Sequence, residues 1–315
     1  MHRDMTAARN PDNVARVSFM GPDYAVAAAA ACAAFLVYMR TLAPTVTGED
    51  SGELITAAYA LGVPHPPGYP LWCLAAHVFT WLPWGSVAWR VNLSSAFFSA
   101  ATVFFVALLI VHLTRNRFAA LAGALALAFS KTFWAHAVVA EVYALNALLI
   151  ALCTLLIWRW RGHRRDSRLY AFALVYGLGL ANHNTMVLLG PVFAAYILWA
   201  DGLDPARWRA YARAALLVLL GLCVYLYLPL ASRANPPMDW GNPSRSGGSG
   251  TTRRASSSAS CTRNTLAASG AISANWECAR DSGRASSRRP SSSSASPGGG
   301  CCGAGSALTR CSPSP

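Results

Sequence analysis

Residues 138–168 read VVAEVYALNALLIALCTLLIWRWRGHRRDSR. The stretch opens with an almost unbroken apolar run and closes on Arg159, Arg161, Arg164, Arg165 and Arg168. A helix needs about 20 apolar residues to cross a bilayer, and a block of arginines beside such a run marks the side retained in the cytoplasm. Six further runs share the pattern, at 24–42, 91–113, 118–134, 169–181, 185–200 and 211–230. Charged side chains cost roughly 2.5–3.5 kcal/mol at a helix centre on insertion scales, and none lies in the middle of these runs. The sequence therefore predicts an all-α membrane protein with about seven transmembrane helices.

The arginines also order the runs. With seven crossings starting from the inside, Arg3/Arg9/Arg16, Arg115/Arg117, the block at 159–168 and Arg207/Arg209/Arg213 all fall on the cytoplasmic face. Residues 1–23 then form a cytoplasmic N-terminal segment, and the protein sits in the inner membrane if it is bacterial. The region before Tyr24 is long and carries Asp4, Asp12 and Asp23, so the first run reads as a signal anchor rather than a cleaved signal. Residues 69–84 are apolar but short and interrupted by His77 and Pro83. Counting them as a crossing would reverse the later arginine clusters. They read as an interfacial helix of the first outer loop, with Trp72, Trp81 and Trp84 at headgroup level.

Composition divides the chain. Of 315 residues 54% are apolar and 12% charged, against roughly 25% charged in an ordinary soluble domain. Residues 24–243 make the multi-span domain, whereas 244–315 hold a single aromatic residue, Trp276, among many serines, glycines and arginines. Such a segment cannot bury enough apolar surface to offset its ordering entropy, and is expected to be a disordered low-complexity tail. The change at Ser244 is abrupt enough to suggest a shifted reading frame or a mis-predicted terminus; on the first reading another frame of the gene continues with apolar spans after Pro243. The net charge of +13 is split between this tail and membrane flanks, without the basic patch and interleaved aromatics of a nucleic-acid binder. There is no G-x-S-x-G, P-loop or dinucleotide fingerprint. No Cys pair has metal-site spacing, so no metal centre is assigned.

Polar residues collect in the outer loops. The first contains Thr47-Gly48-Glu49-Asp50-Ser51-Gly52-Glu53-Leu54, then Pro64-His65-Pro66-Pro67-Gly68-Tyr69-Pro70. The second brings Lys131, Trp134 and His136, with Glu141 after them; the third is Asn182-His183-Asn184; the last runs from Ser232-Arg233 to Asp239-Trp240-Gly241. Each has a purely structural reading. Asp50 and Glu53 fit a capping box for a helix from Ser51, Glu141 suits an ion pair with Lys131, His65 suits a turn, and Asn182/His183 suit backbone at a helix break in a polar cavity. Their convergence on one membrane face is the sign of function, because polar groups at membrane depth are expensive. Asn92 begins a glycosylation sequon against the second span and is expected to be unmodified.

The pair Gly48-Glu49-Asp50-Ser51-Gly52-Glu53-Leu54 and His65-Pro66-Pro67-Gly68-Tyr69-Pro70 carries a resemblance. Together with Trp89-Arg90-Val91-Asn92, Glu141-Val142-Tyr143, Asn182-His183 and Asp239-Trp240-Gly241, it resembles the domain of unknown function 2723 family, which includes transmembrane-protein-260-like protein O-mannosyltransferases. The resemblance covers about 24–243 and corresponds to the N-terminal part of such proteins, whose further spans are replaced here by the tail. It implies a GT-C type, inverting glycosyltransferase that takes a mannose-like sugar from a polyprenyl-phosphate donor to a protein Ser/Thr or glycan acceptor outside the cytoplasm. It also implies a catalytic acid at Asp50, flanked by Glu49 and Glu53. His65, Tyr69, Lys131, Glu141, Asn182, His183 and Arg233 are the implied substrate-binding positions, with Lys131, Arg233 and Asn182/His183 available to the leaving phosphate. A divalent metal bridging carboxylate and phosphate is compatible with such an enzyme, although no ligand set in the sequence demands one. The competing readings are a transporter or lipid flippase, which would favour internal repeats and midplane charges not found here, and a non-catalytic lipid-binding subunit. On the transferase reading a chain ending in this tail is expected to be an inactive fragment if the lost spans are needed.

Overall fold

The computed structural model describes residues 18–163, 165–202 and 204–241. Arg3, Arg9, Arg16, Arg164 and the tail from Ser244 lie outside the described residues. The described body is helical, without a strand. Its helices are α1 (Gly21–Thr41), α2 (Ser51–Ala60), α3 (Pro70–Phe79), α4 (Val87–Thr114), α5 (Arg117–Ala128), α6 (Lys131–Ala137), α7 (Tyr143–His163), α8 (Asp166–Leu180), α9 (Thr185–Asp201), α10 (Trp208–Leu222) and α11 (Tyr227–Arg233).

Local chemistry sets several ends. Ser86 Oγ accepts the Trp89 N–H at 3.1 Å to start α4, and Asn116 Oδ1 accepts from Phe118 and Ala119 to start α5, satisfying donors that have no partner within the helix. The 28 residues of α4 reach about 42 Å at 1.5 Å each, comfortably more than the roughly 30 Å hydrocarbon layer.

All seven apolar runs are helical over most of their length, but they are not equivalent. Four helical segments are long and apolar enough to cross a membrane, Gly21–Thr41, Val87–Thr114, Tyr143–Gly162 and Pro205–Arg233, and a fifth is added if the bent pair α5–α6 is one span. The helices α8 and α9, with 15 and 17 residues, reach only about 22 and 26 Å, so length and apolarity do not reach the expected count of seven. The run at 118–134, expected as one helix, breaks at Phe129-Ser130 into α5 and α6, which meet at 67°. Ser130 Oγ donates to the Leu127 carbonyl at 2.8 Å, a local bond that competes with helix continuation. The helix expected from 138 begins at Tyr143, leaving Glu141 in the turn before it.

Two glycines let the backbones of α8 and α10 approach closely. A Cβ built on Gly177 would lie 2.3 Å from the Val218 carbonyl oxygen, and one on Gly221 would lie 2.6 Å from the Gly177 carbonyl carbon. Small residues at a crossing let membrane helices gain dispersion contacts directly between backbones.

Two ends of the bundle differ in charge. At one, Arg117 Nε bonds Asp23 at 2.7 Å, the Arg159 guanidinium lies over the Phe19 ring, Arg168 bonds the Arg159 carbonyl, and Arg207 pairs with Asp201 and Asp166. The described basic clusters therefore meet at the end where α1 begins. At the other end, Asn92 Nδ2 holds the Ala43 and Thr45 carbonyls, Ala43 N–H donates to the Val138 carbonyl, and Leu71 N–H donates to the Ala181 carbonyl. This second end gathers the loops that carry Asp50, His65, Glu141 and Asn182. Asn92 is fully buried there, which closes the sequon amide to modification.

Candidate functional site

The site is built on the loop between α2 and α3. Leu61 ends α2 in the left-handed region, its N–H bonded to the Ala57 carbonyl. The next residue must be small, because a Cβ on Gly62 would lie 2.5 Å from the Met238 carbonyl oxygen. Val63 donates to Met238 at 2.8 Å and accepts from Trp240 at 2.9 Å, making a parallel bridge to Asp239. Tyr227 Oη donates to the Gly62 carbonyl at 2.9 Å. These bonds join the segment at 238–240 and Tyr227 to the loop that carries His65.

Asp50 occupies the N-cap position of α2, yet its side chain makes no capping bond. The expected capping box is absent, because Glu53 has a different partner. Its Oε1 accepts the His65 backbone N–H at 2.5 Å and faces His65 Nδ1 at 3.2 Å. On the other side of the ring, Nε2 is 3.0 Å from Tyr69 Oη and 3.9 Å from Asp50 Oδ2. With its proton on Nδ1 toward Glu53, the imidazole accepts the Tyr69 O–H through Nε2. Asp50 stays 59% exposed beside this fixed ring, against 19% for Glu53.

An aromatic row continues from Tyr69. Its ring stacks on His183 with centroids 5.9 Å apart, His183 lies 5.4 Å from Tyr143, and Tyr143 lies 4.8 Å from His136. His183 Nδ1 accepts the Thr185 N–H at 3.2 Å, which leaves a neutral ring's proton on Nε2. Burial pushes the His183 pKa down, favouring that neutral form, and burial pushes the Tyr69 phenol up.

Glu141, two residues before Tyr143, is 6% exposed. Burial, and then the charges of Asp50 and Glu49, push its carboxyl up to about 7, because a carboxylate removed from water and set near like charges is disfavoured. Its backbone is fixed on both sides: its carbonyl accepts the Trp72 Nε1–H at 3.1 Å, and its N–H faces Ser95 Oγ at 3.4 Å. Trp72 is thus fully buried, which corrects the expectation of a headgroup position; Trp81 and Trp84 are exposed. Asn182, 1% exposed, donates Nδ2 to the Val142 carbonyl at 3.4 Å, and its Oδ1 has no partner among the described residues. It is closed in against Val142 instead of lining a polar cavity.

Asp50, Glu53, His65, Tyr69, Glu141, Asn182 and His183 therefore come together, with Glu49 in the turn before Asp50. Lys131 and Arg233 are exposed, and no described contact brings either to this cluster. No ion pair joins Lys131 to Glu141 among the described residues, so the expected pairing is not made. Sequence reasoning placed His136 in the second outer turn without making it a site residue and passed over Tyr143, whose available signal was its place within Glu141-Val142-Tyr143. It also found no metal-ligand set. The structure brings ligand atoms of Asp50, Glu53 and His65 within 4.8 Å of one another, a donor set of two carboxylates and an imidazole that fits a divalent cation.

Membrane-length helices with a cluster of titratable groups at one end of them define an integral membrane protein. Residues 50–204 match the family model described as the Protein O-mannosyl-transferase TMEM260 N-terminal domain. The match makes the chain similar to the TMEM260-like family through its N-terminal part, the resemblance that the loop motifs carry. The chain is 36% identical over 202 residues to the mouse Protein O-mannosyl-transferase TMEM260, an alignment covering 62% of this chain and 29% of that protein. It is 30% identical over 228 residues to the Dictyostelium discoideum protein O-mannosyl-transferase, covering 66% of this chain and 28% of that one. The chain therefore spans under a third of the length of the curated relatives it matches. No solved structure matches it.

Proposed function

We propose that this chain carries the acid-lined loop site of a membrane glycosyltransferase, which moves a mannose-like sugar from a polyprenyl-phosphate carrier to a protein Ser/Thr hydroxyl. The observation that carries the reading is Asp50: it stands at a helix start without capping it, largely exposed and 3.9 Å from an imidazole that Glu53 and Tyr69 hold still. A carboxylate so placed can take the proton of an acceptor hydroxyl as that oxygen bonds to the anomeric carbon. The bond from that carbon to the phosphate oxygen breaks with its electron pair, polyprenyl phosphate leaves, and the anomeric configuration inverts. The printed names of the mouse and Dictyostelium relatives support mannose and a protein acceptor.

Asp50, Glu53 and His65 are the residues that would hold a divalent cation, which would supply charge to balance the leaving phosphate. Orientation follows from the two ends. The described arginine clusters lie opposite the acids, which supports a cytoplasmic N-terminus, an extracytoplasmic site, and seven passes in which α8 and α9 are short crossings meeting at Asn182. In a bacterium this membrane would be the inner one.

The test is transfer of radiolabelled mannose from a polyprenyl-phosphate carrier to a Ser/Thr peptide by the chain in vesicles. Asp50→Asn is expected to lower the rate by about 100-fold or more, the usual scale of general-base catalysis. Transfer at the unaltered rate would remove the carboxylate from the chemistry.

A further inference from the structure

The turn from α4 into α5 lies beside the start of α1, and together they line a cavity of about 490 Å³. Its walls carry Met20 and Asp23 from α1 and its approach, then Arg115, Asn116, Arg117 and Phe118 from the turn. The volume falls within the range of ligand pockets, roughly 300–1,000 Å³. It belongs to the end of the bundle that gathers the arginines, opposite the loops that carry Asp50.

The hydrogen bonds around it decide what it can hold. Both oxygens of Asp23 are engaged: Oδ2 accepts the Met20 N–H at 2.9 Å, and Oδ1 accepts Arg117 Nε–H at 2.7 Å. Thr114 Oγ1, also on the wall, donates to the Ile110 carbonyl and accepts the Asn116 N–H. Asn116 Oδ1 accepts from Phe118 and Ala119, which leaves its Nδ2 as a donor. Arg117 meets Asp23 through Nε alone, so both Nη groups of its fork remain, on a side chain 40% exposed. The Arg115 side chain is exposed and makes no hydrogen bond or ion pair among the described residues. Its backbone is fixed in the left-handed region at φ 58°, with the N–H on the Val111 carbonyl at 2.8 Å. The side-chain groups of this wall without a partner among the described residues are therefore all donors, and two guanidiniums face one carboxylate.

We propose that this cavity binds the phosphate of an anionic phospholipid at the membrane surface. Guanidinium forks meet phosphate oxygens two at a time, and basic pockets between membrane helices take anionic headgroups. The rim commits the occupant to a lipid. Phe118 is 85% exposed and Met20 55%, at the ends of helices long enough to cross a membrane. Glycerol and the first acyl carbons of a lipid would cover these side chains, whereas a soluble phosphate would leave them in water.

The experiment titrates the full chain in dodecylmaltoside micelles with phosphatidylglycerol and counts retained lipid by native mass spectrometry. The unaltered chain is expected to retain phosphatidylglycerol in preference to phosphatidylcholine. Arg115→Gln and Asn116→Asp are each expected to weaken that binding about tenfold or more, the scale of one hydrogen bond to a charged group. Asn116→Asp keeps a capping oxygen for α5, so weakened binding at an unchanged unfolding midpoint assigns the loss to the cavity and not to the fold. Arg209→Gln removes an exposed charge outside the cavity and is expected to change nothing. Unweakened binding in both cavity variants, an equal loss in Arg209→Gln, or equal retention of phosphatidylcholine overturns the proposal. Displacement by inorganic phosphate at the lipid's own concentration overturns it too, because the site would then be one for a soluble anion.

Discussion

The buried carboxyl of Glu141 gives the site a dependence on pH that can be worked out from its surroundings. Replacing it by Gln keeps the size and the polar head but removes the ionisation. In the folded protein burial pushes the carboxyl from 4.5 up to about 7, helped by the charges of Asp50 and Glu49. A folded-state pKa above the unfolded one means that the fold holds the proton more tightly. Its contribution to stability is complete below pH 4.5 and is lost as pH rises through 7. That interval, converted at about 1.4 kcal/mol per pH unit, is about 3 kcal/mol. The difference in unfolding free energy between Glu141→Gln and the unaltered chain should therefore be small near pH 4 and grow to about 3 kcal/mol in favour of the variant by pH 8. Groups that do not interact with Glu141 titrate alike in both proteins and cancel. Denaturant unfolding in one detergent, at unit steps from pH 4 to 8, measures it. A difference that stays flat across this range, or that favours the unaltered chain at pH 8, would refute the burial argument.

Two further outcomes follow from other parts of the fold. Gly177→Leu puts side-chain atoms where the Val218 carbonyl oxygen now lies; overpacking of this kind costs about 1–3 kcal/mol or more, and should appear as a lower unfolding midpoint, whereas an unchanged midpoint would deny the α8–α10 contact. Mn²⁺ titrated into the chain should bind at one site seen by electron paramagnetic resonance, lost in both Glu53→Gln and His65→Ala; binding that survives both changes would place the ion elsewhere.

Much of the framework is legible in the sequence because apolar length and arginine placement are one-dimensional signals. The run at 138–158 and the block after it locate α7 and the basic end directly. The pairing of Glu53 with His65 is not legible: Asp50 and Glu53 carry a sound local capping pattern, and a partner twelve residues away wins the carboxylate. Trp72 fails for the same reason. Its amphipathic ring suits a membrane surface, but the Glu141 carbonyl, 69 positions on, gives its N–H a buried acceptor. The elbow at Ser130 is hidden because hydropathy continues through it, and the bridge from Val63 to Asp239 joins segments that no periodicity connects.

The central claim is that Asp50 acts on the reacting hydroxyl and does not merely hold the donor. Measuring the donor dissociation constant and the single-turnover transfer rate side by side, for the unaltered chain and for Asp50→Asn, separates these roles. A rate lowered about 100-fold or more at an unchanged dissociation constant is the expected result. Equal single-turnover rates, or a loss accounted for entirely by weaker donor binding, would contradict it.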